Sequence, residues 1–273
     1  MSSFKVNPIA GVLGAEIDGI DLSQPLAAEV FDELVQVHGQ YGVIFFRDQH
    51  LTPEQYIGFA ERFGEIRTSK VLPVLKEYPK IAHLVKEPAQ KSIVGDIWHT
   101  DQIYRQDPVT GTMLYAREIP PYGGDTQFRD AAAIFDALSP GLQKTLEGLR
   151  SVHAQAHLLN QATAANNYGS ERETDMSKGN AVAVHPAVIT HPVSGRKVLN
   201  VNPGYTTHFE GWTRAESLPI LEYLFQVGQR PEFTCRFRWQ VNSLGFWDNR
   251  RVWHYANNDF HGHRREMYRI TVV

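Results

Sequence analysis

The chain ends with "WDNRRVWHYANNDFHGHRREMYRITVV", Trp247 to Val273. Two runs, "RVWHY" and "MYRITVV", flank a polar loop of Asn, Asp, His and Gly. Both are short and rich in the β-branched and aromatic residues that suit a pleated, half-buried surface. Side chains along a strand point to opposite faces in turn. Arg265, Met267 and Arg269 therefore share one face, and Glu266 and Tyr268 the other. This reading makes the C-terminus strand, not helix.

Working backwards, the same signature recurs in "LGFWD", "EFTCRFRW", "KVLNVN", "AVAVHPAVIT", "GTMLYARE" and "IAHLV", with Gly, Pro, Asn and Asp between the runs. "HPVSGRK" reads as a hairpin loop. No βαβ rhythm links these strands, so a mainly β architecture is expected: a sandwich, jelly roll or barrel with flanking helices outside. The helices announce themselves by period and caps. Residues 27–39 repeat apolar positions at Val30, Phe31, Leu34 and Val37, with Gly39 as a stop. The next has Thr52 as N-cap, Pro53 in its first turn, Gln55 closing a capping box, and Gly64 as its end. Between them "YGVIFFRD" reads as a buried strand. Further helices are expected at about 130–149, capped by Asp130, and about 213–227, where Thr213 and Glu216 form a second capping box.

With 273 residues, 42% of them hydrophobic and 21% charged, one packed domain over 1–273 is the simplest reading. A net charge of −3 gives no pull toward nucleic acid or membrane. The only cysteine, Cys235, excludes a disulfide within the chain and argues against a thiolate zinc site. The start lacks a signal-peptide pattern and no window is apolar enough to span a membrane, so a soluble cytoplasmic protein is expected. Residues 160–180 are polar and aperiodic, too long for an ordinary loop, and are expected to be either a disordered segment or a lid over the active site, the lid being the candidate carried forward.

The chemistry points to "IWHTDQIY", Ile97 to Tyr104. If this stretch is extended, His99 and Asp101 project side by side. A second histidine would complete two imidazoles and one carboxylate, the set that leaves positions open in non-haem Fe(II) oxygenases. Zinc accepts the same ligands, although structural zinc closes with four. A plain hydrogen-bonded pair at a strand end is the alternative. For the third ligand, His254 lies in a strand-like run, whereas His261 and His263 sit in a polar loop where solvated histidines are common. The two arginines of the last strand either guard a solvent-facing edge or hold anions by charge-assisted bonds.

Taken together, "WHTD", "GGDT" at 123–126, "HPVSGRK", "WDNR" at 247–250, His254 and the Arg265/Arg269 pair resemble the TauD/TfdA family of Fe(II)- and 2-oxoglutarate-dependent dioxygenases. The likeness runs from about residue 7 to the C-terminus. Within the family, "VNPGYTT", "PEF" and "HYANND" are most similar to taurine dioxygenase. The resemblance implies a double-stranded β-helix, or jelly roll. It implies His99, Asp101 and His254 as iron ligands, and Thr126 and Arg265 as holders of the far carboxylate of 2-oxoglutarate. Arg269 would reach the cosubstrate's other carboxylate or an anionic substrate. Dioxygen is the other cosubstrate, and succinate and carbon dioxide leave. A small-molecule anionic substrate is expected, with no nucleic-acid or membrane partner, in a homo-oligomer, dimer or tetramer.

The departures cluster where substrate would sit. After "FGE" the taurine-cleaving members place a histidine; here Lys70 stands at or near that point. Gly95 stands where they carry an amide, and Tyr205 where an aromatic residue meets taurine. The expected activity is hydroxylation of an organic acid, sulfonate or sulfate ester. The alternatives are desaturation, cyclisation or ether cleavage with the same cofactors, or a non-catalytic jelly roll that binds metal or ligand.

Overall fold

The computed structural model describes residues 4–69, 72–155 and 181–273. Lys70 and the stretch 160–180 lie outside them. A hairpin of β1 (Lys5–Pro8) and β2 (Ala15–Asp18) precedes α1 (Ala28–Tyr41), β3 (Val43–Phe46), α2 (Pro53–Glu61) and β4 (Ala82–Lys86). β5 (Gly111–Glu118) and β6 (Thr126–Asp130) lead to α3 (Ala131–Asp136), α4 (Pro140–Glu147) and β7 (Arg150–Ala154). Four short strands follow, β8 (Val182–Pro186), β9 (Val188–Thr190), β10 (Lys197–Leu199) and β11 (Thr206–Phe209), then α5 (Arg214–Val227). β12 (Thr234–Phe237), β13 (Leu244–Asp248), β14 (Val252–Ala256) and β15 (Arg265–Val272) complete the described elements.

Seven strands form the larger sheet in the order β1-β2-β3-β13-β5-β15-β4, and β12-β6-β14 form a smaller one. Alternation explains how they pack. Val43, Phe45, Leu114, Ala116 and Met267 point between the sheets, where they meet Phe128, Cys235, Phe237 and Val252. Their neighbours Ile44, Phe46, Met113, Tyr115 and Ile270 point the other way, onto Leu34 of α1 and Tyr56 and Phe59 of α2. Burial on both faces is why β3 reads as an unbroken apolar run. A third cluster packs α3 and α5 around Trp253, Val198 and Leu199. This is a jelly roll with helices outside it, as expected.

Both capping boxes form, at Thr52 with Gln55 and at Thr213 with Glu216. Gly39, however, does not end α1, which runs on to Tyr41 and stops at Gly42 with φ 71°. Gly39 is small for another reason: a Cβ there would lie 2.3 Å from Val193. The expected helix over 130–149 is two helices, because Pro140 cannot donate an amide hydrogen and Ser139 caps a new start. "EFTCRFRW" opens with a 3-10 turn, Pro231–Phe233, before β12. "IWHTDQIY" is not a strand; a single β-bridge at His99 is followed by a turn. Nor is the last strand an edge, since β15 lies between β5 and β4.

Candidate metal centre and cosubstrate pocket

The bridge at His99 aligns it with His254, not with Asp101 as a full strand would have done. His99 N–H donates to the His254 carbonyl at 3.1 Å, and His254 N–H donates back at 2.8 Å. Residues directly opposed in this way share a face. The two imidazole centroids stand 4.1 Å apart. The turn after the bridge then brings Asp101 beneath both rings. His99 Nε2 is 3.6 Å from Asp101 Oδ1, and His254 Nε2 is 3.6 Å from Oδ2. All three residues are buried.

These separations are too long for hydrogen bonds. They suit donors around one ion: metal bonds of about 2.0–2.2 Å at right angles put neighbouring ligands about 3 Å apart. A ligand atom from each residue lies within 4.8 Å of the others. The protonation pattern agrees. His99 Nδ1 lies 2.6 Å from the Ile97 carbonyl, to which it donates, the arrangement in which the neutral tautomer carries its lone pair on Nε2. Burial, then the neighbouring His99, holds the His254 imidazole well below its usual pKa and so neutral.

Asp101 is held by three contacts. Thr112 Oγ1 on β5 donates to Oδ2 at 2.7 Å, and Arg269 on β15 pairs with Oδ1 at 2.7 Å. Asn249 accepts the Asp101 N–H at 3.2 Å and donates to Thr112 at 2.8 Å. Burial opposes the charge on Asp101, but the Arg269 guanidinium beside it outweighs this and keeps the carboxyl well below the usual range. Each carboxylate oxygen has a second lone pair left for a metal. The donor set therefore fits a divalent ion.

A second region fits an anion. Arg265, opposite Lys86 on β4, is 9% exposed, and its Nε and Nη2 have no partner among the described residues. Burial lowers its pKa to about 10, with Asp125 the charge that works against this. An unpaired buried guanidinium is costly unless an anion arrives. Gly123 and Gly124, at φ 69° each, make the close turn beside it; a Cβ on Gly124 would stand 3.3 Å from the Arg265 Cδ. Thr126 follows on β6, where its Oγ1 accepts from Trp239 Nε1 at 2.9 Å. The threonine's own hydroxyl hydrogen is left to donate. A buried guanidinium with two nitrogens unpartnered among the described residues, and a nearby hydroxyl, are groups that an arriving anion would satisfy.

On the remaining side, Tyr205 stands edge-on to His99 with centroids 6.0 Å apart, and Tyr104 meets Tyr205 at 4.9 Å. Gly95, at φ 91°, packs on the imidazole: a Cβ would lie 3.3 Å from His99 Cε1. His261 and His263 remain in the loop before β15, away from the cluster; His263 meets Tyr122 at 3.1 Å. Thr112, Asn249 and Trp239 were not legible as site residues. Only Asn249 carried a signal, its place in "WDNR".

A jelly roll that gathers two imidazoles and a carboxylate around one buried point is the framework of a mononuclear non-haem iron oxygenase. The family model described as taurine catabolism dioxygenase TauD, TfdA family, matches residues 5–271. The chain belongs to the TauD/TfdA family, and it is an Fe(II)- and 2-oxoglutarate-dependent dioxygenase. It is 32% identical to an alpha-ketoglutarate-dependent 2,4-dichlorophenoxyacetate dioxygenase of Cupriavidus pinatubonensis, covering 99% of this chain and 98% of that one. It is 31% identical to an alpha-ketoglutarate-dependent sulfate ester dioxygenase of Pseudomonas putida, covering 98% and 89%. The crystal structure of a taurine dioxygenase from Burkholderia xenovorans superposes with a TM-score of 0.82 at 33% identity, covering 99% and 89%. Among the described residues no helix is long and apolar enough to cross a membrane.

Proposed function

We propose that this chain hydroxylates a small or medium-sized anionic organic molecule, an organic acid, sulfonate or sulfate ester, with 2-oxoglutarate and dioxygen as cosubstrates. The observation that carries the reading is the convergence of His99, Asp101 and His254 on one buried point. In this reading those three hold Fe(II), which supplies dioxygen activation and oxidative decarboxylation of the 2-oxo acid. Arg265, with the Thr126 hydroxyl, takes the far carboxylate by charge-assisted bonds and fixes the orientation of the cosubstrate. Arg269 offsets the charge of Asp101 and draws the anionic group of the substrate to the metal side. Tyr205 and Tyr104 give the substrate an apolar wall and keep water from the reacting carbon. Gly95 is the gap that leaves His99 uncrowded; Lys70, outside the described residues, is the candidate second cation for the anionic group of the substrate.

The names of the relatives span aryloxyacetates and sulfate esters, which supports an anionic substrate class. The reading takes residues 1–273 as one catalytic domain and the protein as a cytoplasmic homo-oligomer, dimer or tetramer, which light scattering tests. The activity is tested by following succinate and oxygen with Fe(II), 2-oxoglutarate and a panel of anions. Substrate-stimulated succinate formation is expected. A protein that binds metal and 2-oxoglutarate but forms no succinate with or without any anion would be a binding jelly roll instead.

A further inference from the structure

On β15 and β4 the charges are sorted by face. Arg264 and Glu266 point outward, where Arg264 bonds Glu87, Glu118 and Glu266. The inward face carries Arg265 and, directly opposite it, Lys86. Lys86 is 4% exposed, and its Nζ has no hydrogen-bond partner among the described residues. The nearest compensation is the buried ring of Phe260, with Lys86 Nζ 4.5 Å and Arg265 Cζ 6.0 Å from its centroid. A cation over one ring face recovers only a small part of what burying an ammonium costs. Glu87, Glu118 and Glu266 are turned to Arg264, and Asp125, whose charge bears on Arg265, is bonded to Arg236 at 2.6 Å. Among the described residues nothing accepts a hydrogen bond from Lys86 Nζ or from Nε and Nη2 of Arg265.

We infer that Lys86 is a second cation for the far carboxylate of 2-oxoglutarate, acting with Arg265 across the paired strands. The inference rests on the reading of Arg265 given above. A carboxylate has two oxygens and about four lone-pair sites, enough for a guanidinium, the Thr126 hydroxyl and an ammonium together. Its arrival would give both cations one anion to share as hydrogen-bond acceptor, which the ring cannot do. Lys86 would be a cosubstrate-binding residue with no contact to the reacting atoms.

The test is anaerobic calorimetry on the full-length Fe(II)-loaded protein, wild type, Lys86→Met, Lys86→Arg and Arg265→Met. Each is titrated with 2-oxoglutarate and with 2-oxovalerate, which has the same chain but ends in a methyl group. Melting temperatures confirm that each variant is folded. Lys86→Met is expected to weaken 2-oxoglutarate roughly tenfold or more and to leave 2-oxovalerate within about twofold. Lys86→Arg should keep most of the affinity. Unchanged 2-oxoglutarate affinity in Lys86→Met, with loss in Arg265→Met, would make Lys86 a packing residue and leave the Arg265 reading intact. Equal losses for both acids would also overturn the inference, since the effect would not act through the far carboxylate. Unchanged affinity in Arg265→Met would remove the Arg265 reading and this inference with it.

Discussion

The Thr112 hydroxyl donates to Oδ2 of Asp101 across 2.7 Å, from the second residue of β5 to a turn eleven positions earlier. The contact matters because Asp101 lies in a turn, where no ladder of backbone bonds fixes its carboxylate. Thr112→Val keeps the shape and removes the donor. Outer partners of this kind typically contribute about 10–100-fold in metal affinity. Thr112→Val should therefore weaken Fe(II) by that order in anaerobic titration, and Thr112→Ser should restore it. Wild-type affinity in Thr112→Val would mean that Arg269 and Asn249 suffice to orient the carboxylate.

Arg269 is the counterpart on the other oxygen, and it has a second expected role toward the substrate. Removing one partner of a buried charge pair costs about 2–5 kcal/mol. Arg269→Ala should raise the KM of an anionic substrate by about a hundredfold, with a smaller change for an uncharged analogue of the same shape. Steady-state kinetics on the pair of substrates decides it; an equal loss for both would reassign Arg269 to support of Asp101 alone.

Two buried histidines outside the site contribute to the acid sensitivity of the fold. Burial lowers His38 to about 4 and His153 to about 3, from 6.5. Above pH 6.5 both are neutral folded or unfolded, and stability is at its full value. Below that, the unfolded chain takes up protons that the folded one refuses. Each histidine then costs about 1.4 kcal/mol per pH unit until its folded pKa is reached. His153→Gln, which still meets Ser151 and Thr206, should show a shallower fall of urea midpoint between pH 6.5 and 4 than wild type. Parallel curves for the two proteins would contradict the assignment.

Much of this was legible in the sequence, for physical reasons that particular residues show. Thr52 and Thr213 cap helices through bonds that span three residues, so local reading finds them. The inward face of β15 follows from alternation alone. The pairing of His99 with His254 is a bridge between residues 155 positions apart, and no local period encodes it. Thr112 on β5 and Trp239 just after β12 reach the site only through the way distant segments pack. Gly39 was misread because a glycine demanded by a packing neighbour, Val193, looks the same in sequence as one that ends a helix.

The substrate side supports a prediction about size. Gly95 sits at φ 91° with the His99 ring against it, so no amide side chain occupies that position. Tyr205 and Tyr104 offer apolar area instead. A small zwitterion such as taurine has little apolar surface to bury there, whereas each buried CH₂ of a longer acid adds about 0.8 kcal/mol. Longer alkyl or aryl acids, sulfonates and sulfate esters should exceed taurine in kcat/KM by one or more orders of magnitude, measured as oxygen uptake. Taurine as the best substrate of the panel, with sulfite released, would refute the pocket argument.

The central claim is that His99, Asp101 and His254 form one iron site. Anaerobic Fe(II) titration of the wild type, His254→Ala and His261→Ala tests it most directly, with folding checked by melting temperature. The account predicts one tightly bound Fe(II) per chain in the wild type and in His261→Ala, and loss of that binding in His254→Ala. Wild-type iron binding in His254→Ala, with loss in His261→Ala, would contradict it.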